Sequence, residues 1–167
     1  IATPHSEHFT FTLEAITNGK HVLCEKPFTM NAFESMTLLN LACSSNIFLM
    51  EAYMYRTHPQ TKNILSNLNF IQDENKKILI EASFGFEADV PIEHRLRDPQ
   101  LGGGAILDIG CYPLTMCKLI AGHLQGKHFA EPKSLEASGQ LDETGVDLQS
   151  HAHIIFSDTI EAKISCA

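Results

Sequence analysis

The chain has 167 residues, of which 12 are Lys or Arg and 20 are Asp or Glu, so its formal net charge is −8. This acidic balance argues against a nucleic-acid-binding protein, because contacts to phosphate need a positive face. The hydrophobic content of 44% is that of a globular chain rather than a disordered one. No apolar run approaches the roughly 18 to 20 residues needed to span a bilayer, so no membrane partner is expected.

The cysteines and histidines do not form a recognisable framework. The cysteines are odd in number and lack CxxC spacing: Cys24, Cys43, Cys111, Cys117 and Cys166. This pattern favours reduced thiols, and we therefore expect a cytoplasmic protein. Two close histidine pairs, His5/His8 and His151/His153, have no cysteine or carboxylate at zinc-like spacing, so no metal site is predicted.

The first third of the sequence alternates short apolar strands with helices. Residues Thr3 to Ser6 indicate the end of a strand entering a helix, which Asn18-Gly19 ends. The remaining elements are a strand at 21–24, a helix that opens at Asn31 with Phe33, Met36, Leu39 and Cys43 on one side, and a strand at 47–50. Strand–helix–strand alternation is typical of a parallel, doubly wound sheet.

The pattern changes after Pro59, which suits the first turn of a short helix. Alternating apolar residues at 78–86, 151–156 and 159–166 predict half-buried strands of an antiparallel sheet. One long helix, about 105–121 and ended by Gly122, lies between them. The predicted fold class is therefore α/β, the second part of a Rossmann-like sheet, followed by an α+β domain with an open antiparallel sheet. The two domains are predicted at 1–57 and 58–167.

Three polar groups follow the predicted parallel strands: Thr3-Pro4-His5, Glu25-Lys26-Pro27 and the segment from Glu51 to Arg56. In open parallel sheets, ligands bind beyond the carboxyl ends of the strands, so these groups predict one crevice. The alternative interpretation of Lys26 is a solvated surface lysine.

A fourth polar group lies at the start of the long helix. Gly102-Gly103-Gly104 allows the backbone to pass close to a ligand or to another chain segment. Asp108 and Tyr112 are four residues apart and share one helix face, and Pro113 is expected to kink the helix. The alternative is a flexible loop with an incidental Asp and Tyr. The sequence contains neither GxGxxG nor GxxxxGK[ST].

These motifs resemble the Gfo/Idh/MocA oxidoreductases. The resemblance rests on Ala2-Thr3-Pro4-His5-Ser6-Glu7-His8, on Lys20-His21-Val22-Leu23-Cys24-Glu25-Lys26-Pro27 and on Gly103-Gly104-Ala105-Ile106-Leu107-Asp108-Ile109-Gly110-Cys111-Tyr112. The stretch Glu51-Ala52-Tyr53-Met54-Tyr55-Arg56 is most similar to the branch of dimeric dihydrodiol dehydrogenase and NADP-linked D-xylose dehydrogenase. The similarity extends over essentially the whole chain, in order.

The resemblance implies a dehydrogenase that uses NADP or NAD and acts on a sugar or cyclic diol hydroxyl. It implies cofactor-side roles for Thr3, Pro4, His5, His8, Glu25, Lys26 and Pro27, although other members more often carry Asn at the position of His5. It implies catalytic roles for Lys26 and Tyr112, and substrate contacts for Asp108 and Arg56.

Two assignments of the proton transfer are open. A Tyr side chain titrates near 10, and a nearby Lys26 ammonium would stabilise its phenolate and lower its pKa, which would make Tyr112 the base. Alternatively, Lys26 itself carries the proton and Tyr112 orients the substrate.

The sequence lacks the family's glycine fingerprint, so we expect a piece of a longer enzyme that is inactive by itself. The competing hypothesis is a degenerate member that acts as a binding or assembly module. Family members pair sheet against sheet, and the second face of the predicted sheet is mixed in character, with His151, His153 and Ile155 on one strand. We therefore expect a homodimer through the antiparallel sheet, with His153 and Ile155 near the interface.

Overall fold

A computed structural model describes residues 1–68 and 76–167. The helices are α1 (His8–Thr17), α2 (Ala32–Ser44), α3 (Pro59–Leu68) and α4 (Cys111–Leu124). The strands are β1 (Val22–Glu25), β2 (Leu49–Ala52), β3 (Ile78–Phe84), β4 (Ser134–Leu141), β5 (Asp147–Ile155) and β6 (Ile160–Cys166). They form two sheets, and the predicted fold class is confirmed.

The first sheet consists of β1 and β2 in parallel, extended by one residue at the start of the chain. The amino group of Ile1 donates to the carbonyl of Leu23 at 2.7 Å, and its carbonyl accepts from the N–H of Glu25 at 2.9 Å. This is parallel pairing, so the expected first strand is present as a single residue. Helices α1 and α2 pack together on one face of this sheet, around a core that contains Ile16 and Leu38.

The apolar side predicted for α2 does not face the core. Phe33, Met36, Leu39 and Cys43 are all exposed, and the helix buries Leu38 and Ala42 instead. The start of the helix follows the predicted signal, since the Asn31 side chain accepts from the N–H of Glu34 at 3.0 Å. The spacing therefore identified the helix, but the choice between its two apolar sides was set by packing against α1 and β1.

The second sheet has the order β3-β6-β5-β4. Strands β4, β5 and β6 are antiparallel neighbours, but β3 runs parallel to β6, so the expectation of an antiparallel sheet was wrong and the sheet is mixed. A parallel neighbour needs a long crossover, and the chain between β3 and β6 supplies one. Strand β4 was not predicted, because its residues are all exposed and carry little apolar alternation.

Helix α4 covers the inner face of this sheet, with Cys117 and Ala121 packed against Ile154 and Ala162. It begins after a π-helical turn, Ile106–Gly110, and continues to Leu124, so the predicted end at Gly122 was wrong. A Cβ at Gly122 would lie 2.6 Å from the Cα of Phe129. This glycine therefore permits close packing of the following loop rather than ending the helix.

One helical stretch among the described residues, Pro99–Leu124, is long and apolar enough by length and composition to cross a membrane. The stretch is not uniformly apolar, since it contains Asp108 and Lys118, and the expectation of no membrane partner stays a prediction. Part of the stretch is the core helix α4, which packs against β3 and β6.

The predicted domain boundary at 57/58 falls between the short 3-10 turn Met54–Thr57 and α3, and it stays a prediction.

Candidate active site

Two of the polar loops at the carboxyl end of the first sheet are held together by His8. Its side chain is fully buried, with one ring nitrogen 2.7 Å from the carbonyl oxygen of Pro27 and the other 3.0 Å from that of Thr3. The Lys26–Pro27 peptide bond is cis. The ring of His8 thereby fixes the loop after Ile1 against the loop after β1, and it acts on this site as a structural bridge.

Lys26 extends from this loop to the π-helical turn that precedes α4. Its ammonium lies 3.4 Å from Oδ1 of Asp108 and also donates to the backbone carbonyl of Asp108. The structure thus brings together two residues that the sequence analysis assigned to the site separately, and the surface-lysine alternative does not fit Lys26, whose side chain is 16% exposed.

Arg95 is a member of this group that the sequence did not reveal. Its Nη1 lies 3.7 Å from the same Oδ1 of Asp108, so that one carboxylate faces two cations. Asp108 is 9% exposed as a residue. Arg95 lies in a short 3-10 turn without hydrophobic periodicity, and its only sequence signal is its place shortly before the three glycines.

The three glycines bring other chain segments close to the site. A Cβ at Gly102 would lie 2.6 Å from Sδ of Met30 and 3.0 Å from Cβ of His5. A Cβ at Gly103 would lie 2.7 Å from the carbonyl oxygen of Leu96. The expectation that these glycines permit a close backbone approach is confirmed, and the segment that carries Arg95 is one of those that approach.

Tyr112 lies on the same side of the site as Lys26. The Lys26 ammonium lies 5.4 Å from the centre of the Tyr112 ring. Burial, joined by the nearby Cys111, raises the pKa of the Tyr112 phenol, so the expected lowering of this pKa by Lys26 is not found. The ring belongs to an aromatic cluster with Tyr53, Tyr55 and Phe84, at centroid distances of 5.5 to 6.2 Å.

A half-buried carboxylate supports the Lys26 loop from β2. Oε1 of Glu51 accepts from the N–H of Phe28 at 2.8 Å, two residues beyond Lys26. Burial raises the pKa of the Glu51 carboxyl. Glu51 was noted in the sequence only as part of a polar strand end, and the structure gives it this specific contact.

Arg56 does not join the group. Its guanidinium carbon lies 4.8 Å from the centre of the Phe129 ring, and no ion pair links it to Asp108 or to the other described residues. The substrate role implied for Arg56 therefore stays a prediction.

A cavity of about 460 Å³ opens beside Lys26, and its walls come from three segments of the chain. It is lined by Ala2, Thr3, Pro4, His5, Glu25, Lys26, Arg95, Leu101 and Asp108. Burial is the main cause of a lowered pKa of the His5 imidazole, whose Nδ1 lies 3.2 Å from the carbonyl oxygen of Gly102. The hydroxyl of Thr3 is buried without a hydrogen-bond partner. An unpartnered polar atom at a mixed polar and apolar cavity fits a bound cofactor or substrate group.

A larger concavity of about 730 Å³ lies on the outer face of the second sheet, away from Lys26. Its lining includes Glu136, His153 and Lys163, and His153 is paired with Glu161 at 2.8 Å. Within residues 1–68 and 76–167, no group of His, Cys, Asp or Glu could hold a metal ion.

Comparisons with known proteins agree with the fold. Residues 1–53 match the model of an oxidoreductase family with an NAD-binding Rossmann fold, and residues 76–167 match the GFO/IDH/MocA C-terminal domain. The Caulobacter crescentus aldose-aldose oxidoreductase, solved with glycerol, superposes with a TM-score of 0.82 at 25% identity, over 99% of this chain and 48% of that one.

Two curated relatives are more similar in sequence. An NADP(+)-linked D-xylose 1-dehydrogenase from Hypocrea jecorina is 36% identical over 88% of this chain and 39% of its own length. A trans-1,2-dihydrobenzene-1,2-diol dehydrogenase from Xenopus tropicalis is 37% identical over 96% of this chain and 46% of its own length. The chain thus spans less than half the length of these relatives.

Proposed function

The chain belongs to the Gfo/Idh/MocA oxidoreductase family, and we propose that it forms the catalytic crevice of an NAD(P)-dependent dehydrogenase that acts on a CH–OH group of a sugar or cyclic diol. The observation that carries this proposal is the Lys26–Asp108 contact at the edge of a cavity with an unpartnered Thr3 hydroxyl. The similar D-xylose and dihydrodiol dehydrogenases support the substrate class.

The cofactor side of the crevice is assigned to the loops that His8 joins. Thr3 and Pro4 supply a hydroxyl and an apolar surface, and Glu25 supplies a carboxylate. When bound, a nicotinamide ring supplies the hydride acceptor or donor. The chain's own residues hold the substrate carbinol against that ring and accept or donate the proton of the reacting hydroxyl.

Lys26 is the group that we assign to proton transfer. In oxidation its neutral amine takes the hydroxyl proton, and in the reverse direction its ammonium donates that proton to the forming alkoxide. Tyr112 is the less suitable base because burial raises the pKa of its phenol. Its ring lies beside the Lys26 ammonium and within an aromatic wall, which suits it to orient the substrate.

The test of this function is spectrophotometric. The full-length protein that contains this chain is incubated with NADP⁺ or NAD⁺ and with D-xylose or a trans-dihydrodiol, and formation of the reduced nicotinamide is followed. We expect substrate-dependent reduction with the wild type and almost none with Lys26→Met. Absence of reduction by the folded wild type with every substrate would contradict the proposal.

We further propose that the full-length protein is a homodimer that pairs through the outer face of the second sheet. Support comes from the composition of this face, where Ile155, His153 and Leu79 stand among charged groups. The face also carries the concavity of about 730 Å³. Face-to-face pairing is isologous, so each residue meets its symmetry-related neighbourhood.

Sedimentation tests this assembly. Ile155→Asp places a charge on the outer face beside Glu161 and is expected to shift the protein towards monomer. Leu135→Asp is the matched control, because Leu135 pairs with Ile154 and therefore belongs to the opposite face. A wild type that sediments as a monomer at micromolar concentration would refute the proposal.

We also propose that the protein works in a reducing compartment such as the cytoplasm. All five cysteines are free, and burial raises the pKa of the Cys117 thiol to about 11, which keeps it protonated and unreactive.

A further inference from the structure

The carboxylate of Asp108 is poorly paired for a group so well buried. Its side chain is 12% exposed, and both cations approach the same oxygen, Lys26 at 3.4 Å and Arg95 at 3.7 Å. Charge-assisted hydrogen bonds are normally about 2.7 to 2.9 Å long, and an ionised carboxylate can accept about four. Among the described residues, no other side chain or N–H donates to this carboxylate. The carboxylate thus keeps most of its accepting capacity.

The guanidinium of Arg95 is poorly paired as well. It carries five N–H donors, and its one polar contact within the described part of the chain is the 3.7 Å approach to Asp108. That distance is too long for a direct hydrogen bond, and a hydroxyl placed beside the two atoms could contact both of them. The side chain is 56% exposed and lines the cavity beside Lys26.

The backbone that carries Arg95 is nevertheless fixed. The N–H of Gly104 donates to the carbonyl of Leu96 at 2.9 Å, and Gly103 has no Cβ that would keep this segment away. Two residues on, Nε of Arg97 donates to Oδ2 of Asp142 at 2.8 Å. Arg95 is therefore a half-exposed side chain with few polar partners on an anchored turn, which is an arrangement suited to binding a ligand.

We propose that Arg95 is a substrate-binding residue that determines specificity: together with Asp108 it binds the hydroxyl on the carbon next to the reacting carbinol. This proposal rests on the proposed function. A hydroxyl both donates and accepts, so it can donate to the Asp108 carboxylate and accept from the Arg95 guanidinium. Lys26 and Arg95 both approach Oδ1 of Asp108. The hydroxyl bound by Lys26 and the hydroxyl bound by Arg95 can therefore belong to adjacent carbons of one substrate.

The charge of the cavity fits the same ligand class. Its lining holds two carboxylates, Glu25 and Asp108, and two cations, Lys26 and Arg95. These charges sum to zero, so an anionic substrate gains no net attraction, while an uncharged vicinal diol can use every partner. The structure therefore assigns an uncharged polyol with neighbouring hydroxyls to this site.

The test compares D-xylose with 2-deoxy-D-xylose, which lacks the neighbouring hydroxyl. In the full-length wild type, kcat/KM is expected to be about 10- to 100-fold higher for D-xylose, the worth of one hydrogen bond to a charged group. In Arg95→Met this preference is expected to fall below about threefold. Lys118→Met is the matched control, because it removes a cation that is paired with Glu131 on the outer side of α4.

Arg95→Lys gives a second, milder variant that keeps the charge but loses the planar fork, and an intermediate preference is expected. Binding of the two sugars by ligand-observed NMR tests the contact without turnover. If the wild type prefers D-xylose and the Arg95→Met variant keeps the full preference, the proposed role of Arg95 is wrong, whereas the proposed function of the protein stands. A wild type that binds and turns over neither sugar would overturn this proposal together with the proposed function.

Discussion

The ammonium of Lys26 and the carboxylate of Asp108 lie 3.4 Å apart although 82 residues separate them in the chain. One belongs to the loop after a parallel strand and the other to the π-helical turn before α4. Both side chains are largely buried, so this contact joins the first sheet to the helical segment that covers the second sheet. The candidate active site lies where the first sheet and this helical segment meet.

Replacing Asp108 tests how far this contact serves both stability and chemistry. Asp108→Asn removes the charge that two cations share, and because both contacts are long we expect the free energy of unfolding to fall by only about 0.5 to 1.5 kcal/mol. Because Lys26 then loses its anchor beside the substrate, kcat/KM is expected to fall as well. Chemical denaturation and steady-state kinetics of the full-length protein measure the two effects.

Asp98→Asn is the matched control for Asp108→Asn, since the Asp98 carboxylate caps the neighbouring turn through the N–H of Gln100 and forms no ion pair with the described part of the chain. Equal loss of activity in both variants would mean that Asp108 matters only for the fold.

A second prediction concerns the start of the helical segment that carries Asp108 and Tyr112. Oδ2 of Asp147, at the beginning of β5, accepts from the N–H of Ile106 at 2.8 Å. Asp147→Ala removes this cap and is expected to cost about 1 kcal/mol of unfolding free energy. Thermal unfolding checks the loss. Asp147→Asn keeps an acceptor oxygen and is expected to recover most of the stability, and an Asn variant as unstable as the Ala variant would contradict a capping role.

A third prediction concerns acid stability. Hydrogen bonds from Thr144, followed by the hydrogen bond from Arg97, lower the pKa of Asp142 from 3.8 to about 2. A carboxyl whose folded pKa lies below its unfolded pKa stabilises the fold above the unfolded value. This contribution is therefore complete above about pH 4 and is lost as the pH falls towards 2.

Melting temperature measured between pH 5 and pH 2 tests this. Asp142→Asn is expected to remove part of the acid-induced drop. Asp158→Asn, whose carboxyl is 93% exposed beside Lys133, is expected to leave the drop unchanged because solvent screens that pair. Identical acid profiles for the wild type and Asp142→Asn would show that the Asp142 carboxyl is not a source of the acid sensitivity.

The first domain shows what sequence patterns can predict. The helix starting after Asn31 and the end of α1 at Asn18-Gly19 follow from local signals, because capping and positive φ act within a few residues. The face that α2 buries could not be predicted, since Phe33 and Leu38 are both apolar and only the tertiary packing distinguishes them.

In the candidate site, too, some features could be predicted from the sequence and others could not. Lys26 and Asp108 were each assigned to the site through a family resemblance, and the structure brings them into contact. Arg95 was missed because a surface-like arginine in a turn has no periodic signal. The pKa of Tyr112 was predicted to fall, but burial raises it, and the burial of this ring could not be predicted from the sequence.

The most direct test of the account compares Lys26→Met with Tyr112→Phe in single-turnover hydride transfer by the full-length protein. We expect Lys26→Met to slow the step by on the order of 100-fold or more, as for loss of a positioned acid–base group, and Tyr112→Phe to slow it by less than about 10-fold. A Tyr112→Phe variant that loses activity while Lys26→Met retains it would contradict the assignment of the proton to Lys26.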